Sequence, residues 1–160
     1  MSKFEQAGGF MNARCNDNDR DELIINLSRH LNKELIQVKI PKSRVKKLYK
    51  DRENNFYCVF IGKELWHGLY TSMLEALTIK NTGKVFLVAG VLNTDVAIAD
   101  VYLGSFHNIV MNPSLLGNPN KNNQLDFKLI LHGNTATLRE SPDLALKRIF
   151  SYKSQSGMLV

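Results

Sequence analysis

The sequence predicts an α+β fold: a single domain with an antiparallel sheet and two to three helices packed on one face. Three observations predict it. Apolar residues recur at helical spacing in some stretches and alternate or run continuously in others. Turn-forming residues separate these stretches at short intervals, which favours antiparallel neighbours. Finally, 160 residues, 44% hydrophobic and 22% charged, suffice for one self-supporting core.

Residues 1–18 are polar and Gly-bearing without a period, and read as a mobile N-terminal arm ahead of one domain over 19–155. Asp19 with Glu22 marks a helix start, and Leu23, Ile24, Leu27 and Leu31 supply the apolar stripe of a helix over 20–33. Ile36, Val38 and Ile40 alternate as one face of a half-buried strand that Pro41 ends. Phe56 to Ile61 is a continuous run of β-formers, expected as a central strand. Trp66, Leu69, Tyr70, Met73, Leu74 and Leu77 fall at helical spacing and predict a helix packed on the sheet. Lys84 to Leu92 reads as a second buried strand, with shorter strands over 95–103 and 106–111.

Residues 112–124 hold two prolines, a glycine and five asparagines, and predict an exposed loop. Leu125, Phe127, Leu129 and Leu131 then alternate with Asp126, Lys128 and Ile130, and Gly133-Asn134 predicts a tight turn into a strand over 135–138. Ser141 as a cap, Pro142 in the first turn and basic residues toward the far end predict a closing helix over 142–153.

Charge carries most of the functional information. Lys and Arg total 21 against 15 Asp and Glu, a formal net charge of +6, which favours anionic partners. The basic residues concentrate between Lys39 and Arg52, where Lys39, Lys42, Arg44, Lys46, Lys47, Lys50 and Arg52 face only Asp51. A short turn of helix would point Val45, Leu48 and Tyr49 inward and leave those cations as one solvent-facing patch. Lys147 and Arg148 add to it from the closing helix. Such a patch attracts phosphate without reading sequence, and binds anionic lipid by about 1 kcal/mol per basic residue. Equally, it would serve as a solvated connection between two strands.

Catalytic signatures are few. His30, His67, His107 and His132 are scattered without metal-ligand spacing, and no nucleophile elbow, Walker lysine or dinucleotide turn occurs. No metal or cofactor is expected, and neither is enzymatic activity. Cys58 sits in an apolar run as a small buried hydrophobe, and Cys15 in a polar stretch. One enzymatic pattern stands as an alternative. Asp100 on one strand and Asp126-Phe127-Lys128 on another resemble the metal-binding signature of restriction-type nucleases, which implies a Mg²⁺-dependent nuclease. The same spacing also arises on the wet face of any alternating strand. No stretch of eighteen apolar residues occurs, and the N-terminus lacks the profile of a secretory signal, so a cytoplasmic protein is expected.

Two family resemblances follow from quoted stretches. IQVKIPKSRVKKL, residues 36–48, looks like the strand-Pro-basic turn of B3-like effector domains of restriction enzymes and of swapped-hairpin transition-state regulators. That likeness implies a small DNA-binding module. The order of elements is similar to the globular domain of rhabdovirus matrix proteins. It rests on NNFYCVFIGKELWHGLYTSMLEAL, an aromatic strand ahead of an amphipathic helix, and on QLDFKLILHGNTATLRESPDLALKRIFSYKSQSG, a hairpin feeding a closing helix. The likeness implies a structural protein of virion and host cytoplasm. It would bind nucleocapsid or nucleic acid, lie peripherally on an anionic membrane surface and form homo-oligomers. The first eighteen residues hold only Lys3 and Arg14 as basic residues and the chain has no proline-tyrosine motif, so the resemblance is to a plant-infecting member.

Overall fold

The computed structural model describes residues 17–40, 46–80 and 84–155. Pro41, Lys42, Arg44, Val45, Cys15 and the proposed arm up to residue 16 lie outside the described residues. Helix α1 (Asp17–Leu31) comes first, with acidic Asp17 and Asp19 in its first turn and Arg29 and His30 in its last, as the helix dipole favours. Its Leu23 and Leu27 are fully buried, which contributes about 1.5–3 kcal/mol each and outweighs any difference in helix propensity. Then come β1 (Ile36–Gln37), β2 (Leu48–Lys50), β3 (Phe56–Gly62), β4 (Trp66–Tyr70), α2 (Thr71–Lys80), β5 (Val85–Asn93) and β6 (Ile98–Ser105). A short α3 (His107–Met111), a 3-10 turn (Pro113–Leu116), β7 (Gln124–His132), β8 (Thr135–Leu138) and β9 (Ser141–Lys153) complete the chain.

The nine strands form one sheet in the order β1-β2-β3-β5-β6-β9-β8-β7-β4. Every pair is antiparallel except β3 and β5, whose parallel register follows from the intervening β4 and α2 crossover. The sheet curls until β4 returns toward the β2–β3 end. Across that seam Lys47 Nζ donates to the Gly68 carbonyl at 3.3 Å, and the Phe60 ring lies 5.4 Å from His67 and 5.3 Å, edge-on, from Phe127.

The expected α+β class is the class found, but the helices are divided between the two faces of the sheet. Phe56, Cys58 and Phe60 of β3 point inside the curl, where α2 (Met73, Leu74, Leu77) and α3 (Ile109, Val110) fill the larger core. Tyr57 and Val59 point outward against Leu23 and Leu27 of α1. Burial on both faces is why the β3 and β5 sequences read as continuous apolar runs.

Several local expectations are corrected, each because tertiary pairing outweighs a local signal. The segment expected as a closing helix over 142–153, with Lys147 and Arg148, is the thirteen-residue strand β9. Leu144 and Leu146 pack inside, and a register shift against Val101 and Tyr102 of β6 moves Phe150 and Tyr152 to the outer cluster. That shift disguises the period of two as something closer to helical. Pro142 sits at the strand's beginning, where no ladder donor is lost. Likewise, the stripe from Trp66 to Leu77 divides at Thr71 into β4 and α2. Leu48 and Tyr49, expected to point inward from a helical turn, are adjacent strand residues buried on opposite faces. Ile36 is exposed at the sheet edge, whereas Val38 and Ile40 are buried. Residues 98–105 form one strand, and the strand expected over 106–111 is α3, with Phe106, Ile109 and Val110 buried. The 112–124 stretch is exposed apart from Leu116 and the half-buried Asn120 and Gln124.

Candidate functional site

The curl leaves a cleft of about 350 Å³ at the seam, lined by Lys47, Trp66, His67, Gly68, Gln124 and Asp126. Antiparallel pairing of β4 with β7 sets its floor: Trp66 is opposite Lys128, Gly68 opposite Asp126 and Tyr70 opposite Gln124. Because strand side chains alternate, His67 and Leu69 point into the core while Trp66, Gly68 and Tyr70 face outward. The asparagine-rich loop shapes one rim. Asn120 Oδ1 accepts from the backbone N–H groups of Asn122 and Gln124, and its Nδ2 donates to Asp126 at 3.2 Å. The Asn123 carbonyl accepts from the N–H of Thr71 at 3.0 Å, tying the loop to the start of α2.

Lys47 enters from the other wall. Its carbonyl accepts from the Val59 N–H at 2.7 Å, extending the β2–β3 ladder and drawing the side chain into the seam. There its ammonium meets the Gly68 carbonyl and lies 4.8 Å from the centre of the Phe60 ring. Burial, with a smaller contribution from Arg20, pushes its pKa down to about 8. His67 lies between the rings of Phe60 and Phe127, and burial, aided by the charge of Lys47, lowers its pKa to about 4, so it is neutral at physiological pH. Its buried Nε2 has no hydrogen-bond partner among the described residues.

At the outer lip of the cleft, Trp66 is 45% exposed. Arg139 Cζ lies 4.3 Å and Lys128 Nζ 5.5 Å from its ring centre, within cation–π range. Arg139 donates from Nε and Nη2 to Glu140 Oε2, while Glu140 Oε1 accepts from the Lys128 N–H at 2.9 Å. Burial would raise the Glu140 pKa, but the hydrogen bonds from the Lys128 backbone and from Arg139 hold it below the usual range. The Arg139-Glu140 corner is thereby fixed against β7.

The basic residues singled out in the sequence are dispersed. Lys46 pairs with Asp17 at 3.1 Å and Arg52 with Glu34 at 3.2 Å. Lys39 is exposed beyond β1, Lys50 is half-buried on β2, and Lys47 is turned into the cleft. Lys147 and Arg148 lie on β9, four strands from β2 in the sheet order. Arg148 bonds Asn134 Oδ1 and lies 3.8 Å from Asp100. Lys42 and Arg44 lie outside the described residues. As for the nuclease pattern, Asp100 is engaged by Ser151 Oγ at 2.5 Å, and β9 and β8 separate its strand from that of Asp126 and Lys128. Among the described residues no group of three His, Cys, Asp or Glu could hold a metal ion. Cys58 is fully buried, which pushes its thiol up to about 12.

Sequence reasoning missed Trp66, Arg139, Gln124 and the inward turn of Lys47. The available signal was Gly68 between Trp66 and Tyr70, which fits a strand with a close neighbour better than a helix interior. These features define the class: an α+β protein with a curled nine-stranded sheet, a polar seam and an exposed aromatic-basic patch at Trp66. No protein-family model, curated protein or solved structure matches the chain.

Proposed function

We propose that this protein is a non-enzymatic binding protein for single-stranded nucleic acid, which lies across the outer face of β4, β7, β8 and β9. One observation carries the reading: the half-exposed Trp66 indole with Lys128 and Arg139 at its ring, on the β4–β7 part of the outer face, away from Phe150 and Tyr152, where α1 packs. Tyr70, Thr135, Ala145 and Lys147 are exposed on the same strands. Aromatic rings stack on any base, worth about 1–3 kcal/mol per base, and nearby cations hold the backbone. A continuous duplex offers its bases to such a ring only where they are unstacked, so the single strand is the better fit.

Fluorescence anisotropy with a labelled twelve-nucleotide single strand tests this. Binding at low salt, weakened at least tenfold by Trp66→Ala, is expected; no binding at low salt overturns it. Peripheral attachment to anionic lipid, which the rhabdovirus matrix resemblance implies, is a second reading supported by Lys39 and Lys50. It predicts co-sedimentation with phosphatidylserine vesicles that Trp66→Ala leaves intact. The matrix resemblance also implies self-association, which sedimentation velocity across a concentration series measures. No helix among the described residues is long and apolar enough to cross a membrane.

A further inference from the structure

We propose that the seam cleft is a pocket for one nucleotide unit, with its phosphate on Lys47, its base against Trp66, and a guanine edge read by Asp126 and Gln124. This deepens the single-strand reading and rests on it: the pocket would hold one nucleotide swung out of the strand that lies on the outer face.

Four observations converge on the pocket. Its volume of about 350 Å³ is at the lower end of the ~300–1,000 Å³ typical of small-molecule sites. Lys47 places a half-buried ammonium in the wall, where its contacts among the described residues are a carbonyl and a ring face. A half-buried cation with no carboxylate in ion-pair contact among the described residues is unfavourable unless something anionic completes it, and a phosphate entering the cleft would do so. His67 Nε2 is a buried polar atom without a partner among the described residues, in the same lining. Buried polar groups are nearly always satisfied, and this one, enclosed behind the cleft wall between Phe60 and Phe127, would gain a ligand partner only by a shift of the ring toward the cleft.

The fourth observation concerns what the pocket reads. A Cβ on Gly68 would lie 3.2 Å from the Gln124 carboxamide carbon, so glycine is what lets that amide lie across β4 into the cleft. Asp126 faces the same space, with one oxygen bonded by Asn120. An ionised carboxylate only accepts, so the edge it recognises must present donors. Guanine presents adjacent ring and exocyclic N–H donors, whereas adenine and cytosine present one amine beside an acceptor. Gln124, which both donates and accepts, suits the neighbouring carbonyl oxygen of guanine. A carboxylate in the lining also argues against a site for bare phosphate.

Trp66 is the only tryptophan in the sequence, so intrinsic tryptophan fluorescence reports on this wall directly. The full chain would be titrated with guanosine 5′-monophosphate, adenosine 5′-monophosphate, guanosine and inorganic phosphate. Saturable quenching by the guanine nucleotide is expected, with affinity about tenfold weaker for the adenine nucleotide and for guanosine, and no quenching by phosphate. Lys47→Met should abolish the quench and Asp126→Asn should remove the guanine preference. Circular dichroism would confirm that both variants are folded, and Gln124→Ala, at a half-buried position, is an independent probe of base reading. Quenching equal for all four compounds, or unchanged in Lys47→Met, overturns the pocket. So does the absence of mononucleotide quenching while the twelve-nucleotide strand binds wild type and Lys47→Met alike, an outcome that leaves the single-strand reading standing. If mononucleotides quench but the strand does not bind, the pocket stands and the single-strand reading falls. Binding of neither overturns both.

Discussion

Asp51 shows how a single charged group is made to serve the fold. Its side chain is 2% exposed, yet Oδ1 accepts from the backbone of Glu53 and Asn55, and Oδ2 accepts from Asn55 Nδ2, Tyr57 Oη and Lys33 Nζ. Burial would raise its pKa, but these bonds hold it at about 2. The same contact, together with burial, pushes Tyr57 up to about 12. Asp51→Ala should lower stability by about 3 kcal/mol, measured by urea unfolding, because five donors would lose their acceptor. Since the folded pKa lies below the unfolded one, the Asp51 contribution is present above about pH 4 and lost as pH falls toward 2. His67 and Lys47 share that pH direction, but as groups whose charged form folding disfavours. The pKa of His67 falls from 6.5 to about 4 on folding, so the unfolded chain binds more protons between those values and stability drops as pH falls through that window. His67→Phe should flatten that part of the acid unfolding profile. Lys47, depressed to about 8, opposes folding fully below pH 8, and the penalty is relieved as pH rises toward 10.5. Lys47→Met should therefore raise the melting temperature at pH 7, with an advantage that shrinks above pH 8. That pattern is the one expected if Lys47 holds the phosphate proposed above.

At the scale of elements, β9 and β4 carry the lesson. Local chemistry at Ser141-Pro142-Asp143 favours a helix start, but the pairing of β9 with both β6 and β8 wins, because it satisfies two ladders and buries Leu144 and Leu146. The close approach of β6 and β9 depends on Gly104. A Cβ there would meet the Ala145 carbonyl oxygen at 2.5 Å and the Leu146 Cα at 3.2 Å, so backbone would have to move. Gly104→Ala should cost about 1–3 kcal/mol by urea unfolding. At Gly90 the added methyl would meet the flexible ends of Leu23 and Ile61, so Gly90→Ala should cost less. β4 reads as part of a helix because Trp66, Leu69, Tyr70 and Met73 satisfy the 3.6-residue period. Its strand conformation comes from β7, which is more than fifty residues away and outside any local window.

For the whole molecule, charge is the quantity that the sequence states and the fold rearranges. The formal +6 holds, but the dense run from Lys39 to Arg52 is partly neutralised by Asp17 and Glu34. The outer face of β4, β7, β8 and β9 instead gathers Lys128 from β7, Lys147 from β9 and Arg139 from the turn between β8 and β9. With about three phosphates engaged, the logarithm of single-strand affinity should fall with log salt at a slope near −2. A slope steeper than about −4 would point to the 39–52 run as the binding surface.

The sequence by itself determined the class of fold, the positions of α1, β3, β5, β7 and β8, the Gly133-Asn134 turn and the burial of Cys58. Those features rest on periods and turn chemistry that neighbouring residues complete. Tertiary structure alone decided that β9 is a strand, that Trp66 faces outward, that Lys47 turns into a cleft, and that basic residues distant in sequence share a face. Each of those depends on which strand lies alongside, and pairing across the curl of the sheet is a long-range choice made by burial on two faces at once.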